Sequence, residues 1–107
     1  MEKHELYNKI QKKSEKSISS LFEYVIFVND LEFFAEQNFD IFDKNDMISQ
    51  YNSLWLELEI LNSLALSEWE EDGKPKDFSK KWVKKYQTEV KELVNKLLCL
   101  LKSAFKT

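Results

Sequence analysis

Met47, Ile48, Tyr51, Leu54, Trp55, Leu58, Leu61 and Ala65 follow one another at intervals that keep them on one face of an α-helix. A second stripe, Leu56, Ile60 and Leu64, runs beside the first. Together they make a wide apolar arc, the pattern of a helix at the middle of a bundle. Trp82, Tyr86, Val90, Leu93, Leu97, Leu100 and Ala104 form another helical stripe downstream, with lysines on the other faces.

Between these two stretches lies Asp72-Gly-Lys-Pro-Lys-Asp77. Gly73 suits the left-handed position just past a helix end, and Pro75 cannot continue that helix. Asp77 or Ser79 can accept hydrogen bonds from the free amides of the next helix start. The pattern predicts a helical hairpin, with helices over 46–72 and 78–105 lying antiparallel.

In the first third, Leu6, Ile10, Ile18, Leu21, Phe22, Val25 and Val28 fit a helix, interrupted by polar Lys12-Lys-Ser-Glu-Lys16. Tyr24-Val-Ile-Phe-Val28 is also rich in strand formers. No second strand-like run offers it a partner, so one helix over 3–37 is expected, with Asn29-Asp30 as the place for a kink or restart. Asn38 to Asn45 then forms a loop, and Asn45 or Asp46 caps the helix that follows. The expected fold is all-α: one domain over 1–107, an antiparallel three-helix bundle.

Composition supports this reading. One glycine and one proline in 107 residues leave little to punctuate strands, and the 14 % aromatic content is too high for a disordered chain. Cys99, the single cysteine, lies in Leu97-Leu-Cys-Leu-Leu101 and is expected to be an inert core thiol. One cysteine cannot staple a fold and gives no sign of an oxidising compartment. No charged-then-apolar segment opens the chain, so no secretion signal is expected. The apolar runs fall short of a membrane span. A cytoplasmic protein without a membrane partner is the expectation.

Charge changes the picture. The formal net charge is −3. Residues 1–20 carry +2, residues 21–72 carry −12 with one lysine against thirteen acids, and residues 73–107 carry +7. The sign changes at Gly73, between Glu68-Trp-Glu-Glu-Asp72 and the lysines that lead to Trp82. Acids at a helix end and lysines at a helix start both oppose the helix dipole, at about 0.3–1 kcal/mol for each exposed charge. Two readings offset that cost. The clusters can neutralise each other across the hairpin, or Glu68, Trp69, Glu70, Glu71 and Asp72 can form a face for a basic partner.

The loop Asn38-Phe-Asp-Ile-Phe-Asp-Lys-Asn-Asp46 alternates apolar side chains with acids. Phe39 and Phe42 can plug the open end of the bundle; alternatively Asp40, Phe42, Asp43 and Asp46 present a contact surface. The spacing lacks the glycine and terminal glutamate of a calcium-binding EF-hand loop. The three tryptophans are core material first, with Trp69 and Trp82 placed to stack beside the hairpin, while Trp69 among acids also has the character of an interface anchor.

Little in the chain points to catalysis. His4 has no second histidine or clustered cysteine with which to bind zinc. The absence of arginine rules out helical nucleases built on Arg-x-x-x-x-His, and no glycine-rich loop is present to cradle a phosphate. Glu57 and Glu59 fall on different helix faces. Neither an enzyme nor a bound cofactor is expected. The lysines after Gly73 could follow a nucleic-acid backbone, but the large acidic segment would repel it, so no nucleic-acid partner is expected.

In size, in the hairpin ending Ser67-Glu-Trp-Glu-Glu-Asp72 and in its acidic surplus, the chain resembles the small helical immunity proteins that bacteria make against their own toxins. The resemblance implies a bacterial protein that binds and masks a toxin, often a nuclease, by protein–protein contact. Carboxylates would steer it to a basic cleft. A homo-oligomeric structural or adaptor subunit, such as a homodimer joined through the wide apolar arc, is the alternative reading.

Overall fold

The computed structural model describes residues 3–32, 34–38, 42 and 45–105. These are all-helical, with no strand among the described residues. Helix α1 spans Lys3–Ser17, α2 Leu21–Leu31, the single turn α3 Phe34–Gln37 and α4 Asn45–Glu71. A short α5 (Ser79–Lys81), one π-helical turn (Trp82–Tyr86) and α6 (Gln87–Phe105) then follow without interruption.

The expected single helix over 3–37 is therefore divided into α1, α2 and the turn α3, and among the described residues the principal helices number four rather than three. Asn29 and Asp30 lie inside α2, and the chain breaks earlier, at Ile18–Ser20. Ser20 is extended and its side chain accepts a hydrogen bond from the amide of Glu23 at 3.3 Å. The Ser20-Leu-Phe-Glu23 spacing is that of a capping box, a start signal the sequence carries openly. The carbonyl of Ile18, released from the helix, accepts from Trp82 Nε1 at 2.8 Å and from Gln87 Nε2 at 3.2 Å. The break is thus satisfied from the far end of the sequence.

Helix α2 also ends on tertiary partners. Glu32 turns its amide back to the Asn29 carbonyl. Trp55 Nε1 donates to the carbonyl of Val28 at 3.2 Å, and the Tyr51 hydroxyl to that of Leu31 at 2.7 Å. Carbonyls in the last turn of a helix lack internal donors, so side chains of α4 supply them. Further up, the Tyr24 hydroxyl donates to the Leu58 carbonyl at 2.7 Å. These contacts pair 24 with 58, 28 with 55 and 31 with 51, so α2 and α4 run antiparallel.

Each long helix packs on two neighbours: α1 on α2 and α6, and α4 on α2 and α6. The molecule measures 45 × 22 × 21 Å, and its long axis matches the roughly 40 Å expected of a helix as long as α4 at about 1.5 Å per residue. Leu21, Val28, Leu58, Ala65, Val90, Leu97 and Leu101 are fully buried at the centre. Aromatic groups close both ends. Phe34, Phe42 and Tyr51 meet at one, with ring centroids 5.4–6.3 Å apart. Trp82 contacts Tyr24 and Tyr86 at the other.

The π turn has a reason in the sequence. The buried side chains Phe78, Trp82, Tyr86 and Val90 recur every four residues. In an α-helix a four-residue step over-rotates by about 40°, so the row would wind away from the core. A wider π turn absorbs that excess. It lies at Trp82–Tyr86, in the middle of the row.

Candidate partner-binding surface

The hairpin that ends α4 is built as its sequence implies. Gly73 has φ +87°, and Lys74 follows it into the left-handed region at φ 55°. The amide of Lys74 donates to the Trp69 carbonyl at 2.9 Å and that of Gly73 to the Glu70 carbonyl at 3.0 Å. This is the paired bonding of a glycine-terminated helix end. Asp77 Oδ1 accepts from both the amide and the hydroxyl of Ser79, at 3.0 and 2.6 Å. Those bonds hold the Asp77 carboxyl below its ordinary pKa.

Across this turn the acidic cluster divides in two. Glu68 receives Lys85 Nζ on both oxygens, at 2.8 and 3.0 Å, and Lys81 Nζ at 2.9 Å. The Tyr86 hydroxyl donates to the same carboxylate. Its side chain is 16 % exposed. Lys85, Tyr86 and Lys81, in that order, hold its pKa down to about 2. Burial first, and then the bond to Glu68, push the Tyr86 phenol up to about 12. Lys81 also pairs with Asp72, and Asp72 and Glu68 together raise its pKa. Glu68 and Asp72 therefore neutralise Lys81 and Lys85, two of the lysines that open the last helix. Glu70 and Glu71 are exposed and make no ion pair among the described residues.

Trp69 and Trp82 take different partners instead of stacking. Trp69 is partly buried; Nε1 donates to the Pro75 carbonyl at 2.9 Å, and its ring meets Phe22 edge-on at 5.4 Å. Phe22 is itself exposed. The Trp69–Phe22 pair therefore forms a partly exposed aromatic edge.

Of the loop candidates, Phe42 is 4 % exposed and packs between Phe34 and Tyr51, so its side chain serves the core. Asp40 and Asp43 lie outside the described residues. Asp46 is exposed in the first turn of α4. It borders an open groove of about 710 Å³ between α4 and α6, with Met47, Leu54, Lys96, Cys99 and Leu100. Cys99 is exposed rather than in the core. At roughly 100° per residue it falls opposite the faces that Leu97 and Leu101 bury. Among the described residues no three His, Cys, Asp or Glu side chains come together to ligate a metal, and no helix is long and apolar enough to cross a membrane.

The largest departure from the sequence reading is the second apolar stripe of α4. Leu56, Ile60 and Leu64 are 53 %, 53 % and 58 % exposed. Because α4 packs mainly on α2 and on the last helix with its π turn, the inward arc of Tyr51, Leu58, Leu61 and Ala65 makes the described contact. The stripe lies on the opposite side, interleaved with exposed Ser53, Ser63 and Ser67. Those serines were the available signal: a face buried between helices would carry fewer hydroxyls. Exposed Glu57 and half-buried Glu59 flank the stripe, and α4 contains no basic residue from Asn45 to Glu71.

Compared with protein families, with curated proteins and with solved structures, the chain matches none.

Proposed function

We propose that this chain is a small helical binding protein of the immunity type, which masks a basic macromolecular target by protein–protein contact. One observation carries the reading. After the hairpin has paired Glu68 and Asp72 with Lys81 and Lys85, the acids Asp46, Glu57, Glu70 and Glu71 of α4 remain exposed with no ion pair among the described residues. A one-signed surface of this kind speeds encounter with an oppositely charged partner. A toxin that handles nucleic acid fits it, because a cleft that holds phosphates is itself basic. In this reading the protein acts in the cytoplasm of a bacterium that also makes the toxin.

The competing reading is a homo-oligomeric subunit joined through the exposed ridge Leu56, Ile60 and Leu64. Affinity capture from lysate of the producing cell, at low and moderate salt, separates the two. The immunity reading expects one basic protein retained in equal amount, held less well as salt rises, and lost when Glu70→Lys and Glu71→Lys are combined. Retention of the chain's own copies alone, indifferent to those reversals, sinks it.

A further inference from the structure

We infer that the outward face of α4 from Ser53 to Ser67, ridged by Leu56, Ile60 and Leu64, docks an amphipathic basic helix of the target protein. This rests on the binding-protein reading above and names the surface and the shape of the partner. Three large apolar side chains more than half exposed on one helix face are uncommon without a partner to cover them. Their spacing of four residues forms the ridge that packs into the grooves of a second helix. Ser53, Ser63 and Ser67 beside the ridge are small enough to let another helix come close.

Charge decides what that helix is. Glu57 and Glu59 flank the ridge and Glu70 and Glu71 lie beyond its end, with no lysine anywhere on α4 to offset them. A second copy, docked by the same face, would bring Glu57 and Glu59 of both chains together around Ile60, with no lysine on either helix to offset them. Like charges at the edge of an interface work against association, whereas lysines or arginines flanking an apolar stripe would pair with Glu57 and Glu59.

The test is a titration of the isotopically labelled full chain, followed by amide NMR. The probe is a synthetic amphipathic helix of leucine and lysine alone, and the control is its leucine–glutamate counterpart. The expected result is perturbation centred on Ser53–Ser67 with the lysine peptide only, weakened by salt. Ile60→Ser with Leu64→Ser should reduce affinity by about tenfold or more. Both positions are exposed, so unchanged thermal unfolding of that variant verifies the fold. No binding, perturbation centred elsewhere, or equal binding of the glutamate peptide overturns the inference. So does a sedimenting dimer that Ile60→Ser dissociates, which would assign the face to a second copy. If a captured target survives Ile60→Ser with Leu64→Ser yet is lost with Glu70→Lys and Glu71→Lys, this surface is wrong and the immunity reading stands.

Discussion

The indole N–H of Trp82 donates to the carbonyl of Ile18 at 2.8 Å, joining the start of the last helix to the corner between the first two. Gln87 shares the same acceptor at 3.2 Å. Trp82→Phe keeps an aromatic ring but removes the donor, and should cost about 1–3 kcal/mol in urea unfolding. Adding Gln87→Met leaves the Ile18 carbonyl without either donor, so the double variant should lose more than the sum of the singles.

Glu68 makes stability depend on acid pH. Its carboxyl titrates near 4.5 in the ordinary state and is held to about 2 in the fold by Lys85, Tyr86 and Lys81. The unfolded chain therefore takes up this proton first as pH falls. The contribution is full above pH 4.5 and is lost between 4.5 and 2. Unfolding midpoints measured through that window should fall for the natural chain, and the part of the slope due to this group should vanish in Glu68→Gln.

Glu70 and Glu71 should behave differently from Glu68, although all three share one short segment. They are exposed and make no ion pair among the described residues. Reversing either to lysine relieves its opposition to the helix dipole, so the fold should be unchanged or stabilised, by up to about 1 kcal/mol. Association with a basic partner should slow, measurably in stopped-flow mixing at low salt and less so at high salt. A large loss of stability instead would place them in the hairpin's own framework.

Gly73 adopts φ +87° with nothing within 4 Å of where a Cβ would stand. The cost of a side chain there is backbone strain alone. Gly73→Ala should lower stability by about 1 kcal/mol, and Gly73→Asn by less, because asparagine tolerates the left-handed region better. Thermal melts of the two variants give the ordering.

Asn62 is buried in α4, and its side-chain oxygen has no hydrogen-bond partner among the described residues. Leaving a buried acceptor unpaired is costly, so Asn62→Leu should stabilise the fold by about 1 kcal/mol. A higher urea midpoint with an unchanged slope would show it.

Local chemistry made much of the molecule legible in advance. The hairpin at Gly73, Pro75 and Asp77 follows from which residues tolerate a left-handed turn, lack an amide proton or cap a helix, and none of this needs a distant neighbour. The long helices follow from apolar periodicity in the same way. Even the start of α2 was present at Ser20 and Glu23, overshadowed by the longer helical pattern around it. Tertiary structure decided what periodicity leaves degenerate. An apolar stripe says that a face wants cover, not whether a neighbour exists to cover it. The four-helix arrangement spent its contacts on Leu58 and Ala65 and left Ile60 in water. The same packing placed Lys81 and Lys85 against Glu68 and left Glu70 and Glu71 free of ion pairs among the described residues. Which acids a fold consumes and which it offers depends on distances between helices, and those are set only when the helices pack.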